Sequence, residues 1–144
     1  MKKVSKPKSG YLIHYVCNCL CPECNEYLED FPEYLCNAHT HGMDKYGVPD
    51  FQIVLDNQEL VSYTFKELAK RVQSGEIFAG GECIDDLFEN NKVKLLVFKE
   101  ADRNVLRVIF PDPNNKWPND KGCEYPYNQQ FLPTDKLTKT QPSV

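Results

Sequence analysis

The chain has 144 residues, 41% of them hydrophobic and 26% charged, with a formal net charge of −4. That length and balance describe one globular domain with a real core, not a disordered chain. The acidic excess argues against generic nucleic-acid binding, and no apolar run reaches the roughly 20 residues that span a bilayer.

Residues 1–9 are basic, polar and expected to be flexible. They resemble the start of a signal peptide, but the following YLIHYVC is too short for its apolar core and carries His14. The chain therefore reads as cytoplasmic, where thiols stay reduced and clustered cysteines point to metal or reactivity before disulfides. Tyr11–Cys17 is rich in β-formers and reads as a first strand, followed by a cysteine-bearing loop over Asn18–Tyr34. Cys36–Met43 is a candidate second strand, Asp44–Asp50 a turn marked by Gly47 and Pro49, and Phe51–Leu55 a buried third strand. The clearest helix follows. Asp56 can cap it with Glu59 in the capping-box position, Val61, Phe65, Leu68, Ala69 and Val72 share one face, and Gly75 ends it. Ile84–Asn90 reads as a second short helix. Val93–Lys99 and Val105–Phe110 read as a hairpin around the polar turn Glu100–Asn104. Beyond Phe110 the prolines of PDPNNKWPNDKGCEYPY block regular structure, and 134–144 reads as a polar tail. The order predicts a single α+β domain over residues 10–133, with a mostly antiparallel sheet, one main amphipathic helix and a Cys-rich loop.

Seven Cys and three His are present, and eight of these ten lie between His14 and His41, where an even scatter would place about two. The most specific piece is CPECN. Two thiols spaced C-x-x-C can hold one metal ion from a tight turn, with Pro22 fixing φ after the first and Asn25 tolerating the left-handed conformation after the second. A structural zinc needs four ligands. Cys21 and Cys24 supply one pair, and Cys36 with His39, spaced C-x-x-H, is the completing pair. Cys17, Cys19 and His41 are alternative ligands, since residues two apart on a strand share a face. Reduced thiols without metal, or a disulfide or redox switch, are the competing readings. His14 reads as a half-buried strand histidine, and Cys83 and Cys123 as small core residues.

His39-Thr40-His41 also invites an enzymatic reading, as a metal-dependent hydrolase or as partner to a cysteine nucleophile. No histidine follows His41, and the chain is too short for a (β/α)₈ barrel. GECIDDLFEN reads as a helix start or solvated face. DPNNKWPNDKGCE does not meet the pattern of a calcium loop, and no phosphate-binding or nucleophile-elbow motif is present.

The remaining pieces are HTHGM at His39–Met43, GVPDFQIVL at Gly47–Leu55, ELAKRVQSGEIFAGGECIDDL at Glu67–Leu87, IFPDPNNKWP at Ile109–Pro118, and Gln129 or Gln130 near the end. In order and spacing, over roughly Gly10–Gln130, the chain resembles the bacterial domain of unknown function 4262 family. The resemblance implies no particular activity. It places the family's recurring polar positions at Thr40, Gly42, Pro49, Asp50, Asp85, Asp86, Pro111 and Asp112. Val48 stands where that family often has His, and Asn119 near where it often has Trp. The cysteine-rich loop looks like an addition to the family pattern.

Two functions follow as expectations. One is a small binding or accessory module with a zinc-held loop and an unidentified protein or small-molecule partner. Its binding surface would draw on Thr40, Asp50, Asp85, Asp86, Asp112 and Trp117, with Tyr125 and Tyr127 beside them. The other is an enzyme acting on a small molecule through His39-Thr40-His41. An open metal position beside a pocket favours the enzyme; a closed four-ligand site favours the module.

Overall fold

The computed structural model describes residues 10–16 and 31–137. The expectations for Cys17, Cys19, Cys21 and Cys24 lie outside these residues. The fold is α+β, a six-stranded sheet with one main helix: β1 (Leu12–Val16), β2 (Leu35–His41), β3 (Asp50–Leu55), α1 (Gln58–Gln73), β4 (Cys83–Ile84), β5 (Val93–Glu100) and β6 (Arg103–Ile109). The strand order is β1-β2-β3-β6-β5-β4. Every pairing is antiparallel except β3 with β6, which run parallel.

Period-2 alternation gives the sheet two different faces. One carries Cys36, Ala38, Phe51, Ile53, Leu55, Leu106 and Val108, all buried against Val61, Phe65, Leu68, Ala69 and Val72 of α1. These five are the residues whose helical spacing marks a single apolar stripe. Truncating a fully buried side chain such as Phe65 to Ala would cost about 3–5 kcal/mol.

The other face carries His14, Asn37, His39, His41, Gln52 and Arg107, and the chain after residue 126 crosses it. Arg107 is wholly buried. It donates to Gln52 Oε1 (2.7 Å), to the carbonyls of Gln130 (2.8 Å) and Leu132, and to Thr134 Oγ1 (3.1 Å). The Gln130 side chain both donates to the Phe110 carbonyl and accepts from its N–H, as a paired strand residue would. Packing continues to Leu137, which is buried with Phe31 and Val54.

Three local readings change. Asn57, not Asp56, caps α1, its side chain accepting from Leu60 N–H at 3.0 Å. Asp56 is engaged elsewhere: its N–H donates to the Tyr34 carbonyl and its carboxylate accepts from Tyr15 Oη. Ile84–Asn90 is not helical. Ile84 pairs with Val93, and the carbonyls of Asp86 and Leu87 accept from Arg71 and Tyr63 of α1 rather than from amides one turn on. Cys83 is exposed and Cys123 half-buried, so neither is a core residue. The other end of α1 follows the expectation. Gly75 N–H meets the Val72 carbonyl and Glu76 N–H the Arg71 carbonyl, the two bonds of a Schellman stop.

β2 ends at Gly42, with φ of 117°, and a 3₁₀ turn follows over Met43–Tyr46. A Cβ on Gly42 would lie 2.9 Å from the Gly10 carbonyl oxygen and 3.2 Å from Tyr11 Cα, whereas one on Gly47 (φ 84°) meets nothing within 4 Å. Gly42→Ala is therefore expected to lose about 2–3 kcal/mol, through strain plus a clash with Gly10 and Tyr11 at the entry to β1, and Gly47→Ala only about 1 kcal/mol. Urea midpoints of the two variants check this; equal losses would show that the contact with Gly10 and Tyr11 is unimportant.

Candidate metal centre

His14 on β1 lies directly opposite His39 on β2 in the antiparallel register. His41, two residues on, falls on the same face. The ring centroids are 5.0 Å apart for His14–His39, 4.9 Å for His39–His41 and 6.1 Å for His14–His41. One ligand atom from each residue lies within 4.8 Å of the other two. Nitrogens sharing one tetrahedral zinc sit about 3.3 Å apart at bonds near 2.0–2.1 Å. Small side-chain rotations therefore close the set on an ion. His39 is buried; His14 and His41 are exposed.

The tautomer of His39 follows from its neighbours. Nδ1 sits 3.1 Å from Asn37 Oδ1, which also accepts from Gln52 Nε2 at 2.9 Å. An amide oxygen only accepts, so Nδ1 carries the proton and Nε2 the lone pair. That bare nitrogen faces Glu100 Oε2 at 3.9 Å. Burial, reinforced by His14, His41 and Arg103, outweighs the opposing pull of Glu100 and lowers the His39 pKa from 6.5 to about 4. The ring is therefore neutral at pH 7. Burial and the Arg103 charge lower His41 in the same direction. Burial opposes ionisation of Glu100, but His39 and Arg103 outweigh it and hold its pKa below the usual range. His39 thus presents a bare nitrogen beside an ionised carboxylate.

Arg103 orders the acids. It donates to Glu100 Oε1 (3.0 Å), to Asp50 Oδ2 (2.5 Å) and to the Thr40 carbonyl (3.0 Å). Asn37 and Glu100 also line an adjoining cavity of about 610 Å³, with Phe98, Thr134 and Asp135 among its other walls. A set of imidazole nitrogens suits zinc and neighbouring late transition metals, and a cavity beside them leaves room for a further ligand.

Residues 10–124 match the family described as Domain of unknown function (DUF4262). The chain belongs to that family. No curated protein and no solved structure matches it. The DUF4262 match spans the imidazole cluster, the β5–β6 hairpin and most of the loop beyond.

Among the residues singled out from sequence, His39 and His41 come together, and His14, read there as a strand histidine outside the site, joins them. Only the β1–β2 register reveals it. Cys36 is not brought to His39. It lies in the helix-side core with Sγ 3.8 Å from the Ile53 carbonyl, because a spacing of three along a strand reverses the face. Thr40 and Asp50 are buried partners, with Thr40 Oγ1 donating to Asp50 Oδ1 at 2.8 Å and accepting from Phe51 N–H. Asp112 accepts three backbone N–H groups, from Asn114, Lys116 and Glu124, and so builds the loop it begins. Asp85 and Asp86 are exposed, Asp86 pairing with Arg71, and Trp117 packs under Lys94. These positions do not converge on one surface.

In metal-free protein, His39 is expected to stay neutral at pH 5, where an ordinary histidine is protonated. Between pH 6.5 and about 4 the unfolded chain binds a proton at this position that the folded chain does not. Folding stability should therefore fall as pH drops through that window, by up to about 1.4 kcal/mol per unit. Imidazole NMR titration with pH-dependent urea unfolding checks both; a His39 midpoint near 6.5 would refute the burial argument.

Proposed function

We propose that this DUF4262 protein holds a divalent transition metal, zinc by ligand type, on His14, His39 and His41. We further propose that it uses the open coordination position for hydrolytic chemistry on a small molecule in the adjoining cavity. The observation that carries the reading is the neutral Nε2 of His39 facing ionised Glu100 Oε2 at 3.9 Å, within a three-imidazole cluster. A bound zinc ion would supply Lewis acidity and a water acidified to near-neutral pKa. The chain supplies the rest. Glu100 Oε2 accepts the proton of the attacking water and returns it to the leaving group. Arg103, bonded to Oε1, keeps that carboxylate ionised and oriented. Asn37 and Gln52 keep His39 in the ligating tautomer.

The reading as a binding module with a structural Cys/His zinc makes a different prediction about which residues carry the metal. On the open-site reading, protein purified without added metal or a histidine tag carries about one zinc per chain. His14→Ala, His39→Ala and His41→Ala each lower it, and Cys36→Ser does not. Glu100→Gln keeps the metal and lowers hydrolysis of activated esters by about 10²-fold or more. Metal that survives the histidine changes and is lost from Cys21→Ser or Cys24→Ser would replace this reading with the structural one.

A further inference from the structure

A second cavity, of about 210 Å³, shares no wall with the one beside the imidazoles. Three tyrosines line it, Tyr34, Tyr125 and Tyr127, together with Pro126, Leu60 and the carboxylate-bearing Asp56. Its volume suits a small head group rather than a drug-sized ligand. Tyr34 is 56% exposed and Tyr125 47% exposed. An exposed aromatic gains little from burial, yet Tyr34 is held in the left-handed region at φ 70°, a strained conformation for a non-glycine residue. Tyr125 is fixed by its hydroxyl, which donates to the Glu33 carbonyl at 2.6 Å. Phenol rings present a negative π face, and Asp56 adds a full negative charge. Its Oδ1 accepts from the neutral Tyr15 hydroxyl at 2.8 Å, and no cationic side chain pairs with it among the described residues. Charge and wall chemistry both call for a cation.

The hydrogen-bonding inventory narrows the class. A primary ammonium needs three acceptors and a guanidinium five. Here one oxygen of Asp56 is engaged by Tyr15, Asn57 Oδ1 is engaged by Leu60 N–H, and the Tyr125 hydroxyl proton is committed to Glu33. What remains is ring surface, one carboxylate oxygen and the hydroxyls of Tyr34 and Tyr127, none of which a cation lacking N–H groups requires as an acceptor. A cation with no N–H groups leaves nothing unsatisfied there. We infer that this cavity is a binding site for a small quaternary ammonium group, enclosed by Tyr34, Tyr125 and Tyr127 and neutralised by Asp56. The site is independent of the metal centre.

The test is an NMR titration of the full chain with choline, following the resonances of the three tyrosines. Saturable shifts are expected. The neutral isostere 3,3-dimethylbutan-1-ol should bind about tenfold more weakly or worse, because it keeps the shape and loses the charge. Asp56→Asn should weaken choline by a similar factor. Should that variant disturb the Tyr15 anchor, Tyr34→Gly serves instead: it removes one wall and relieves the backbone strain, so choline binding drops while the fold is kept. Sedimentation with phosphatidylcholine vesicles, against phosphatidylglycerol vesicles, separates a lipid-borne head group from a free one; binding of either form that is lost in Tyr34→Gly upholds the site. Equal affinity for the isostere, or no saturable shift with choline and no preferential sedimentation with phosphatidylcholine vesicles, overturns it.

Discussion

The guanidinium of Arg107 is a full charge with no solvent exposure and no carboxylate partner among the described residues. Burial pulls its pKa down to about 9, so it remains a cation at neutral pH. Such a charge persists in an interior only when its donors are met. They are met by Gln52, Thr134 and the carbonyls of Gln130 and Leu132, with the Phe98 ring 3.7 Å away. The consequence runs down a chain of forced orientations. Arg107 Nε–H needs an acceptor, so Gln52 turns its Oε1 toward it and presents its amide N–H₂ to Asn37. Asn37 must then offer Oδ1, which obliges His39 Nδ1 to carry the proton. A buried cation on β6 thereby sets which nitrogen of His39 is bare on β2, and the same cation holds the C-terminal segment that walls the larger cavity.

The two faces of the sheet divide the work of stability and chemistry. On the α1 face, apolar side chains from β2, β3 and β6 meet an apolar stripe, and burial alone favours the arrangement. The other face buries His39, Asn37, Gln52 and Arg107, groups that cost free energy when desolvated and recover it only through complete hydrogen bonding. Apolar residues of the same volume would suit a purely structural face. The polar set instead leaves a depressed imidazole pKa and an ordered carboxylate beside an open cavity. Perturbed ionisation of that kind is characteristic of functional sites.

What could be read from the sequence was what depends on near neighbours along the chain. Val61 to Val72 marks a helix by spacing alone, and Val93–Lys99 with Val105–Phe110 marks a hairpin by the short polar turn between β-formers. The family membership was legible too, because collinear short motifs survive where no single one is specific. The third imidazole of the cluster was not. His14 and His39 are 25 positions apart, and only the register of β1 on β2 sets them face to face. The C-x-x-H spacing of Cys36 and His39 has two meanings. In a turn it brings two ligands together, and in a strand it sends them to opposite faces. The polar positions shared with the family have a structural explanation in several cases: Thr40 and Asp50 tie β2 to β3, Gly42 admits β1, and Asp112 nucleates its loop.

The hairpin turn explains why charge accumulates beside the imidazoles. Its two-residue connection places Glu100 opposite Arg103, and the parallel pairing of β6 with β3 brings Arg103 to Asp50 across 53 positions of sequence. Arg103 spends itself on one oxygen of each acid and on a backbone carbonyl. Glu100 Oε2 is left directed at His39. Neutral His39 and ionised Glu100 thus meet at a point that strand register assembles from β2 and the β5–β6 hairpin, not from neighbours along the chain.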